Sequence, residues 1–470
     1  MEVYITVWQL VLFSIIALSA NFDYGFSSTY LNNPVDQFKI YLNESWHRRG
    51  HQMYDSTYNW IWNLILNIWF VGFFLGIWAS PLLNDRFGRR VGYIVGNGFA
   101  FVGSVLRYLG ILLYLPEMLL AGRFLTSICI AITYQSCILF LQECSPTHLR
   151  GFLSFLSEIS FAVMCLIGAM LGTEQLLANH LQILLLVPVP LCFFFFVVLF
   201  FIHETPKFLL IVRKDRERAE KSVLFYHGEH ANVRNILNEI VLESESQEEA
   251  DNSWLTLKEI LTTKHLRDAT ILSCCALQNT IALWSLLLSS TYFLKQANVN
   301  SNVAAWSSTS MTLAYVVGTL IGSALIEKVG RRGLLLFFIF CNNLFLVMFV
   351  ICSQLQVKIG FLRNGCLFSL IAYGFTYGAG VGPISWFISS ELVPQKYRSM
   401  TQSLCYAINT IFVVITTFSI LPLYNLISSY SFLALYTVPN LFCLVHLYRK
   451  LPETRGREIH DIVSELKGKI

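Results

Sequence analysis

The sequence is poor in charged residues. Lys, Arg, Asp and Glu make up 13% of its 470 residues, whereas hydrophobic residues make up 55% and Phe alone occurs 37 times. Charged residues account for about 25% of an ordinary soluble domain, so a water-soluble globular fold is excluded. The mean hydropathy of +0.57 instead indicates an integral membrane protein.

Cysteine is missing from the long polar stretch 27–57, although the chain contains 12 Cys. Most of these lie inside apolar runs, where a thiol behaves as a small hydrophobic group, so no disulfide framework is predicted. The sequence also lacks a Walker phosphate loop, paired catalytic carboxylates, zinc-ligand spacing and a nucleophile elbow. We therefore expect a non-enzyme with no metal, no cofactor and no nucleic-acid partner.

Apolar runs long enough to cross a bilayer, roughly 20 residues as a helix, occur twelve times. The first six lie near 5–26, 58–80, 91–114, 116–141, 151–172 and 181–202. Six more lie near 268–294, 303–326, 333–353, 361–390, 399–423 and 428–448. No basic region precedes the first run and no small-residue cleavage site follows it, so we expect a retained span rather than a signal peptide.

These runs predict an all-α membrane protein with twelve transmembrane helices in two six-helix halves. The predicted units are an N-terminal bundle at 1–203, a linker with short helices at 204–267, a C-terminal bundle at 268–450 and a tail at 451–470. Most of the 33 Lys and Arg fall in loops after even-numbered runs, and basic loops face the cytoplasm. Both termini and the linker are therefore predicted to be cytoplasmic. The stretch 27–57 is then extracellular, and its sequon Asn43-Glu44-Ser45 predicts glycosylation of Asn43.

Three motifs occur twice, in the same order and at nearly the same separation. They are NDRFGRR (84–90) with IEKVGRR (326–332), ECSPTHLR (143–150) with ELVPQKYR (391–398), and HETPK (203–207) with PETRGR (452–457). The second six spans therefore repeat the first six in the same orientation. In each octet a Glu ends one helix and an Arg begins the next, which opposes both helix dipoles. Each octet thus requires partners elsewhere.

These motifs, together with GPISWF in the tenth run and FKIYLNESWHRRGH at 38–51, resemble the sugar porter family of the major facilitator superfamily. The resemblance runs from about residue 15 to residue 465 and extends to the animal facilitative hexose transporters, whose first extracellular loop is similar to the stretch at 38–51. It implies facilitative transport of a hexose or similar polyhydroxy solute by alternating access, in the plasma membrane. The implied partners are a sugar or polyol and the lipid bilayer; the oligomeric state is open, and a monomer is sufficient for transport.

The resemblance also implies that the charged loops interlock at the cytoplasmic face. The residues expected to form this gating network are Arg89, Arg90, Glu143, Arg150 and Glu204 in the first half, and Glu327, Arg331, Arg332, Glu391 and Arg398 in the second. The alternative is ordinary positive-inside topology with solvated charges, which explains the Arg residues but not the repeated Glu.

The implied solute site lies between the halves. YGFTYGAGVGPISW at 373–386 contains four Gly and one Pro, so it cannot form an uninterrupted helix and is the best candidate for a moving gate. Trp386 matches the sugar-stacking Trp of the family and Asn409 a sugar-binding Asn. The residues expected to bind solute are Gln278, Asn279, Trp386, Asn409 and Glu158.

The seventh run departs from the family pattern Q-Q-L-S-G, since LQNTIALW at 277–284 has Ala282 in place of the Gly. Trp284 replaces a sugar-contacting Asn, Tyr315 replaces another Asn, and Glu158 replaces a Gln. These departures keep a non-transporting nutrient sensor open as an alternative. An organic-ion carrier of the same superfamily is a further alternative, but its long Cys-containing first extracellular loop is absent.

Asp23 and Arg123 are ionisable residues inside predicted spans, which makes them functional candidates. Proton-coupled members of the family place an acidic residue of the first span near an Arg of the fourth. An intramembrane pair of Asp23 with Arg123, and hence proton-coupled sugar symport, is therefore a further alternative. Arg107 is expected to extend to the membrane surface without a special role.

Overall fold

The structure is a computed structural model and describes residues 7–145, 150–228, 232–245, 253–356, 359–457 and 459–466. Every regular element in these residues is a helix, and twelve helices are long and apolar enough to cross a membrane. The first six spans are Trp8–Thr29, Asp55–Phe87, Arg89–Leu112, Pro116–Cys144, Phe152–Leu171 and Leu181–Phe201. The last six are Lys264–Gln296, Ser301–Val329, Arg331–Leu355, Leu362–Glu391, Lys396–Ile427 and Tyr430–Lys450. The predicted twelve-span fold is confirmed.

Short helices lie between the halves, as predicted for the linker. They are a π-helical turn at Phe208–Val212 and the α-helices Arg216–His227, Val233–Glu245 and Ser253–Thr262. Two more helices, Val35–Arg48 and Ile459–Leu466, were not predicted. The linker follows the sixth span and Val35–Arg48 follows the first, so they lie on opposite sides of the bundle. We call these sides the linker face and the opposite face.

Several spans of the second half are interrupted. The seventh span breaks at Asn279 and Thr280, between the helices Lys264–Gln278 and Ile281–Gln296. The tenth span contains a π-helical turn at Tyr377–Val381, which confirms the predicted interruption. A Cβ added at Gly318 of the eighth span would lie 2.2 Å from the carbonyl oxygen of Phe375. The eighth span therefore packs directly on the backbone of the tenth near this turn.

The two halves meet along two pairs of spans. The fifth span packs on the eighth, and the second packs on the eleventh. Large apolar side chains such as Leu426, Phe442 and Phe337 are 61% to 81% exposed on the outside of the bundle, as expected of a surface that faces lipid.

Candidate functional site

A very small cavity of about 10 Å³, roughly the space of one water molecule, lies between the halves. Its lining comes from both halves: Tyr24, Trp69, Phe70 and Phe73 from the first, and Trp284, Trp386, Asn409, Thr410 and Val413 from the second. Small-molecule pockets typically measure about 300–1,000 Å³. The structure is thus a closed form with little space at its centre.

Trp284 fills much of this centre. Its ring stacks on Tyr24, with ring centroids 5.7 Å apart, and meets the edges of Phe70 at 5.8 Å and Phe161 at 6.0 Å. All three partners belong to the first half, and Trp284 belongs to the second. Sequence comparison treated Trp284 only as the loss of an amide. The size of its ring was the available signal that it fills the space between the halves.

Trp386 and Asn409 are the two predicted solute-binding residues that line the cavity. Trp386 lies edge-on to Tyr134 of the first half, with centroids 5.6 Å apart. Asn409 donates from Nδ2 to the carbonyl oxygen of Leu277, at 3.0 Å. The cavity is thereby joined to the break in the seventh span.

The other three predicted solute-binding residues lie outside the cavity lining. Asn279 is buried at the break of the seventh span, where its Nδ2 donates to the carbonyl oxygen of Cys275 at 2.8 Å. Gln278, the preceding residue, is half-buried. Glu158 accepts a hydrogen bond from the Tyr315 hydroxyl, which belongs to the opposite half. In the closed form these three residues lie near the cavity but do not line it.

Hydrogen bonds between the halves close the cavity toward both faces. On the opposite face, Asn32 donates to Ser290 at 3.0 Å and Thr291 donates to Asn33 at 3.0 Å. We call these two bonds the opposite-face seam. On the linker side, Gln135 Nε2 donates to Ser403 Oγ at 3.2 Å, and Phe155 lies beside Phe387, with centroids 6.4 Å apart. The cavity is therefore occluded.

The repeated charged motifs build a corner on the linker face of the first half. Arg89 donates from Nε and Nη2 to one oxygen of Glu143, at 3.0 and 2.8 Å, and Thr205 donates to the other oxygen at 2.7 Å. Glu204 accepts from the backbone N–H groups of Arg89 and Arg90, at 3.1 and 3.0 Å. A carboxylate at a helix N-terminus satisfies unpaired N–H donors and complements the dipole. This corner thus supplies the partner that Glu143 requires.

Gly88 makes this arrangement possible. Its φ is +105°, and an added Cβ would lie 2.2 Å from Glu204 Oε2. The equivalent Gly330 has φ +94° and would meet Glu453 Oε2 at 2.6 Å. The Gly of each R-x-G-R-R or K-x-G-R-R loop is therefore needed both for its backbone conformation and for the close carboxylate.

The second half repeats this corner with one looser contact. Glu453 accepts from the backbone N–H groups of Arg331 and Arg332, at 2.8 and 3.1 Å, and Thr454 donates to Glu391 at 2.6 Å. Arg331 lies 3.7 Å from Glu391 and 3.1 Å from Glu327. Glu453, Thr205 and Thr454 were not named as site residues, although the shared Glu-Thr of HETPK and PETRGR was the signal for them.

The geometry of the corners differs from the expected network in one respect. The side chains of Arg90 and Arg332 donate to the carbonyl oxygens of Phe200 and Tyr448, at 2.6 and 2.8 Å, instead of binding the octet carboxylates. The contacts described for each corner join spans within one half. The reason is the repeat itself, because each half carries a complete set of partners. Arg398 is buried at the start of the eleventh span, and the side chain of Arg150 lies outside the described residues.

The alternative pair of Asp23 with Arg123 is not the pair that the structure shows. Asp23 instead binds Arg107, whose Nη2 lies 2.7 and 2.9 Å from the two carboxylate oxygens. Gly25 packs on the fifth span, where a Cβ would meet the Phe161 carbonyl oxygen at 2.4 Å. The first span is a regular helix, so Asp23, two residues earlier, points roughly 200° away from that contact, toward the third span.

The two buried arginines therefore have different environments. Arg107 is fully buried, so the expectation that it extends to the membrane surface is wrong. Arg123 donates to the carbonyl oxygen of Ile65 at 2.9 Å and to the Tyr30 hydroxyl at 3.0 Å, and it lies 5.4 Å from the Trp69 ring centroid. The guanidinium of Arg123 thus binds a carbonyl oxygen, a tyrosine hydroxyl and an aromatic ring. Asp23 forms its ion pair with Arg107.

Residues 12–466 match the sequence model of the family described as "Sugar (and other) transporter". The chain belongs to this family. It is a solute transporter of the sugar porter group within the major facilitator superfamily, and the family consists of transporters rather than enzymes.

Similar proteins include facilitated glucose transporters of solute carrier family 2. The chain is 26% identical over 457 residues to member 7 of Mus musculus, covering 95% of this chain and 87% of that protein. It is also 26% identical over 471 residues to member 3 of Ovis aries, covering 97% and 92%.

Solved structures show the same fold. The proton:xylose symporter XylE bound to 6-bromo-6-deoxy-D-glucose superposes with a TM-score of 0.80 at 14% identity, covering 98% of both chains. The inward-open form of XylE from E. coli gives 0.71 at 14% identity, covering 98% of this chain and 100% of that one. The architecture is therefore the major facilitator fold.

Proposed function

We propose that this transporter carries a hexose or similar polyhydroxy solute down its gradient by alternating access. The supporting observation is the cavity shared by the halves and closed toward both faces. A transporter of this type binds solute between its halves and opens toward one face at a time. The corners would brace each half so that it moves as a unit, which is the gating role we assign to them.

Trp386 and Asn409 carry the proposed solute contacts. The flat indole face suits the apolar side of a sugar ring, and an amide offers both donors and acceptors to hydroxyl groups. Gln278 and Asn279 lie beside the same cavity, at the break of the seventh span. Movement at that break would bring their amides to the solute.

The experiment is uptake of a radiolabelled panel (glucose, fructose, polyols, urate and ascorbate) by transporter-null cells expressing the chain. Saturable uptake of a polyhydroxy solute, lost in Trp386→Ala and Asn409→Ala, is the expected result. No uptake of any panel member by correctly inserted protein would refute the proposal. Because one chain encloses the cavity, a monomer is sufficient.

A second candidate function, a non-transporting solute sensor, is favoured by the aromatic filling of the cavity around Trp284. A sensor binds solute without moving it. Solute-dependent thermal stabilisation of the purified chain without uptake would favour the sensor.

We further propose plasma-membrane placement with the linker face in the cytoplasm. Asn43 would then be an extracellular glycosylation site; it is exposed on the helix Val35–Arg48, while Ser45 is buried and donates to the carbonyl oxygen of Tyr114 at 2.7 Å. An endoglycosidase-sensitive mass shift that disappears in Asn43→Gln would support this placement. An unshifted wild-type band would count against it.

A further inference from the structure

Glu158 is a buried carboxyl group at the interface of the two halves. It is 3% exposed, and its hydrogen-bond partner Tyr315, 1% exposed, lies on the eighth span of the other half. Closing the halves therefore encloses this carboxyl group, and separating them breaks its bond.

Among the residues that the structure describes, titratable groups surround Glu158 but none of them is basic. The groups that face it are Tyr24 on the first span, Tyr134 on the fourth, Cys165 on the fifth, Tyr315 on the eighth, Tyr377 on the tenth and Tyr406 on the eleventh. A buried carboxylate without a nearby cation is strongly disfavoured, whereas a protonated carboxyl group with a hydrogen bond is not. The closed form therefore favours the neutral acid.

A row of small and polar residues leads from Glu158 along the tenth span. A Cβ added at Gly382 would lie 2.8 Å from Glu158 Oε1. Ser385 and Ser389 follow on roughly the same helix face, and both are fully buried with hydroxyl groups that have no partner among the described residues. Unpartnered buried hydroxyls are the groups that water solvates once space opens. The row runs toward the linker face.

We propose that Glu158 is a proton-binding site, which takes up a proton when the halves close and releases it when they separate. The proposal rests on the proposed alternating-access function. No covalent step is involved: the carboxylate gains a proton from water on closing and returns it to water on opening. The row of Ser385 and Ser389 supplies the hydrated route on the linker side.

The empty closed form already encloses Glu158, so the proton accompanies the empty carrier as well as the loaded one. The same proton crosses the membrane with the loaded carrier and returns with the empty one. Net proton flux is therefore zero, and a proton gradient cannot drive solute accumulation. We therefore expect pH to set the rate of transport, while a pH gradient alone drives no accumulation. This agrees with facilitative transport and differs from symport.

The test uses the full chain in proteoliposomes, with radiolabelled glucose and equal pH on both sides, between about pH 5.5 and pH 8.5. Wild-type uptake should fall by up to about tenfold per pH unit above the pH at which the carboxyl group ionises. Glu158→Gln keeps a neutral partner for Tyr315, so its uptake should be independent of pH. The exposed Glu174 provides the matched control, because Glu174→Gln should keep the wild-type profile. A Glu158→Gln profile identical to wild type would overturn the proposal.

A second measurement needs neither transport nor a variant. The O–H of a protonated carboxyl group adds across one C=N bond of dicyclohexylcarbodiimide: its oxygen bonds to the carbon and its proton goes to the nitrogen. An ionised carboxylate lacks this proton and does not react. Mass spectrometry of the purified wild-type chain should find an adduct on Glu158 that declines as pH rises. Absence of that adduct at about pH 6 would also overturn the proposal. If no member of the solute panel is taken up but the adduct forms, the transport proposal fails and the proton-binding site on Glu158 stands.

Discussion

Asp23 and Gly25 lie two positions apart on the first span and face nearly opposite directions. Gly25 contacts the fifth span through its backbone, and Asp23 therefore reaches Arg107 of the third span. Trp284 shows the same dependence on direction, since its position on the seventh span points its ring at three aromatic residues of the other half. At the scale of the residue, the direction in which a side chain points from its helix decides which partner it contacts.

Removing the Asp23 carboxylate should be strongly destabilising. Asp23→Asn leaves the guanidinium of Arg107 buried without its counter-charge, which costs about 3–5 kcal/mol of unfolding free energy. A double-mutant cycle of Asp23→Asn with Arg107→Gln, measured by unfolding in mixed micelles, should show a coupling of about 2 kcal/mol or more. The matched cycle with Arg123→Gln should give a clearly smaller coupling. Equal couplings would contradict the assigned partner.

Replacing Trp284 should enlarge the solute cavity. Trp284→Ala removes the ring that contacts Tyr24, Phe70 and Phe161, at an expected cost of about 3–5 kcal/mol of stability. The added space should admit bulkier polyhydroxy solutes, seen as uptake or thermal stabilisation by panel members that the wild type ignores. Trp60 is 76% exposed, so Trp60→Ala is the control and should not change the solute range. An unchanged range in Trp284→Ala would show that the ring does not limit the site.

The corners are equivalent elements built from repeated motifs, yet they are not equally tight. Arg89 makes two hydrogen bonds to Glu143, whereas Arg331 lies 3.7 Å from Glu391 and shares its charge with Glu327. The first corner ties the loop after the second span to the ends of the fourth and sixth spans. The second corner ties the loop after the eighth span to the ends of the tenth and twelfth spans. At the scale of the element, duplication preserved the arrangement of each corner but changed how tightly its Arg binds its Glu.

The difference between the corners predicts unequal coupling energies. A double-mutant cycle of Arg89→Gln with Glu143→Gln should give about 1–3 kcal/mol, because the pair is buried and doubly hydrogen-bonded. The cycle of Arg331→Gln with Glu391→Gln should give less, since the pair is longer and Glu327 is a second partner. Unfolding free energies in mixed micelles provide both values. A larger coupling in the second corner would refute this ranking.

The whole molecule is closed toward both faces by a few polar bonds and a central aromatic cluster. The two bonds of the opposite-face seam join the loop after span one to span seven, and Gln135 with Ser403 joins spans four and eleven. Weak closures of this kind suit a carrier, because neither open state is separated from the closed one by many strong contacts.

Cross-linking the opposite-face seam should stop transport. Asn32→Cys with Ser290→Cys, oxidised to a disulfide, would hold the halves together at that face, and a reductant should restore uptake. Gln37 is half-buried and Asn179 is exposed, and they are hydrogen-bonded at 3.1 Å within the first half. A disulfide between Gln37→Cys and Asn179→Cys is therefore the control and should leave uptake intact. Undiminished uptake with a locked seam would contradict alternating access.

The twelve spans, their two halves and the family were predictable from the sequence, because span length, hydropathy and repeated motifs are local properties of the chain. The motifs also indicated which loops form the corners, and Trp386 and Asn409 were found at the cavity. The partner of Asp23, the ring of Trp284 inside the cavity and the bond of Tyr315 to Glu158 emerged only from the tertiary structure. Each depends on the rotation of one helix against another, and residues far apart in the chain carry no local signal of that rotation.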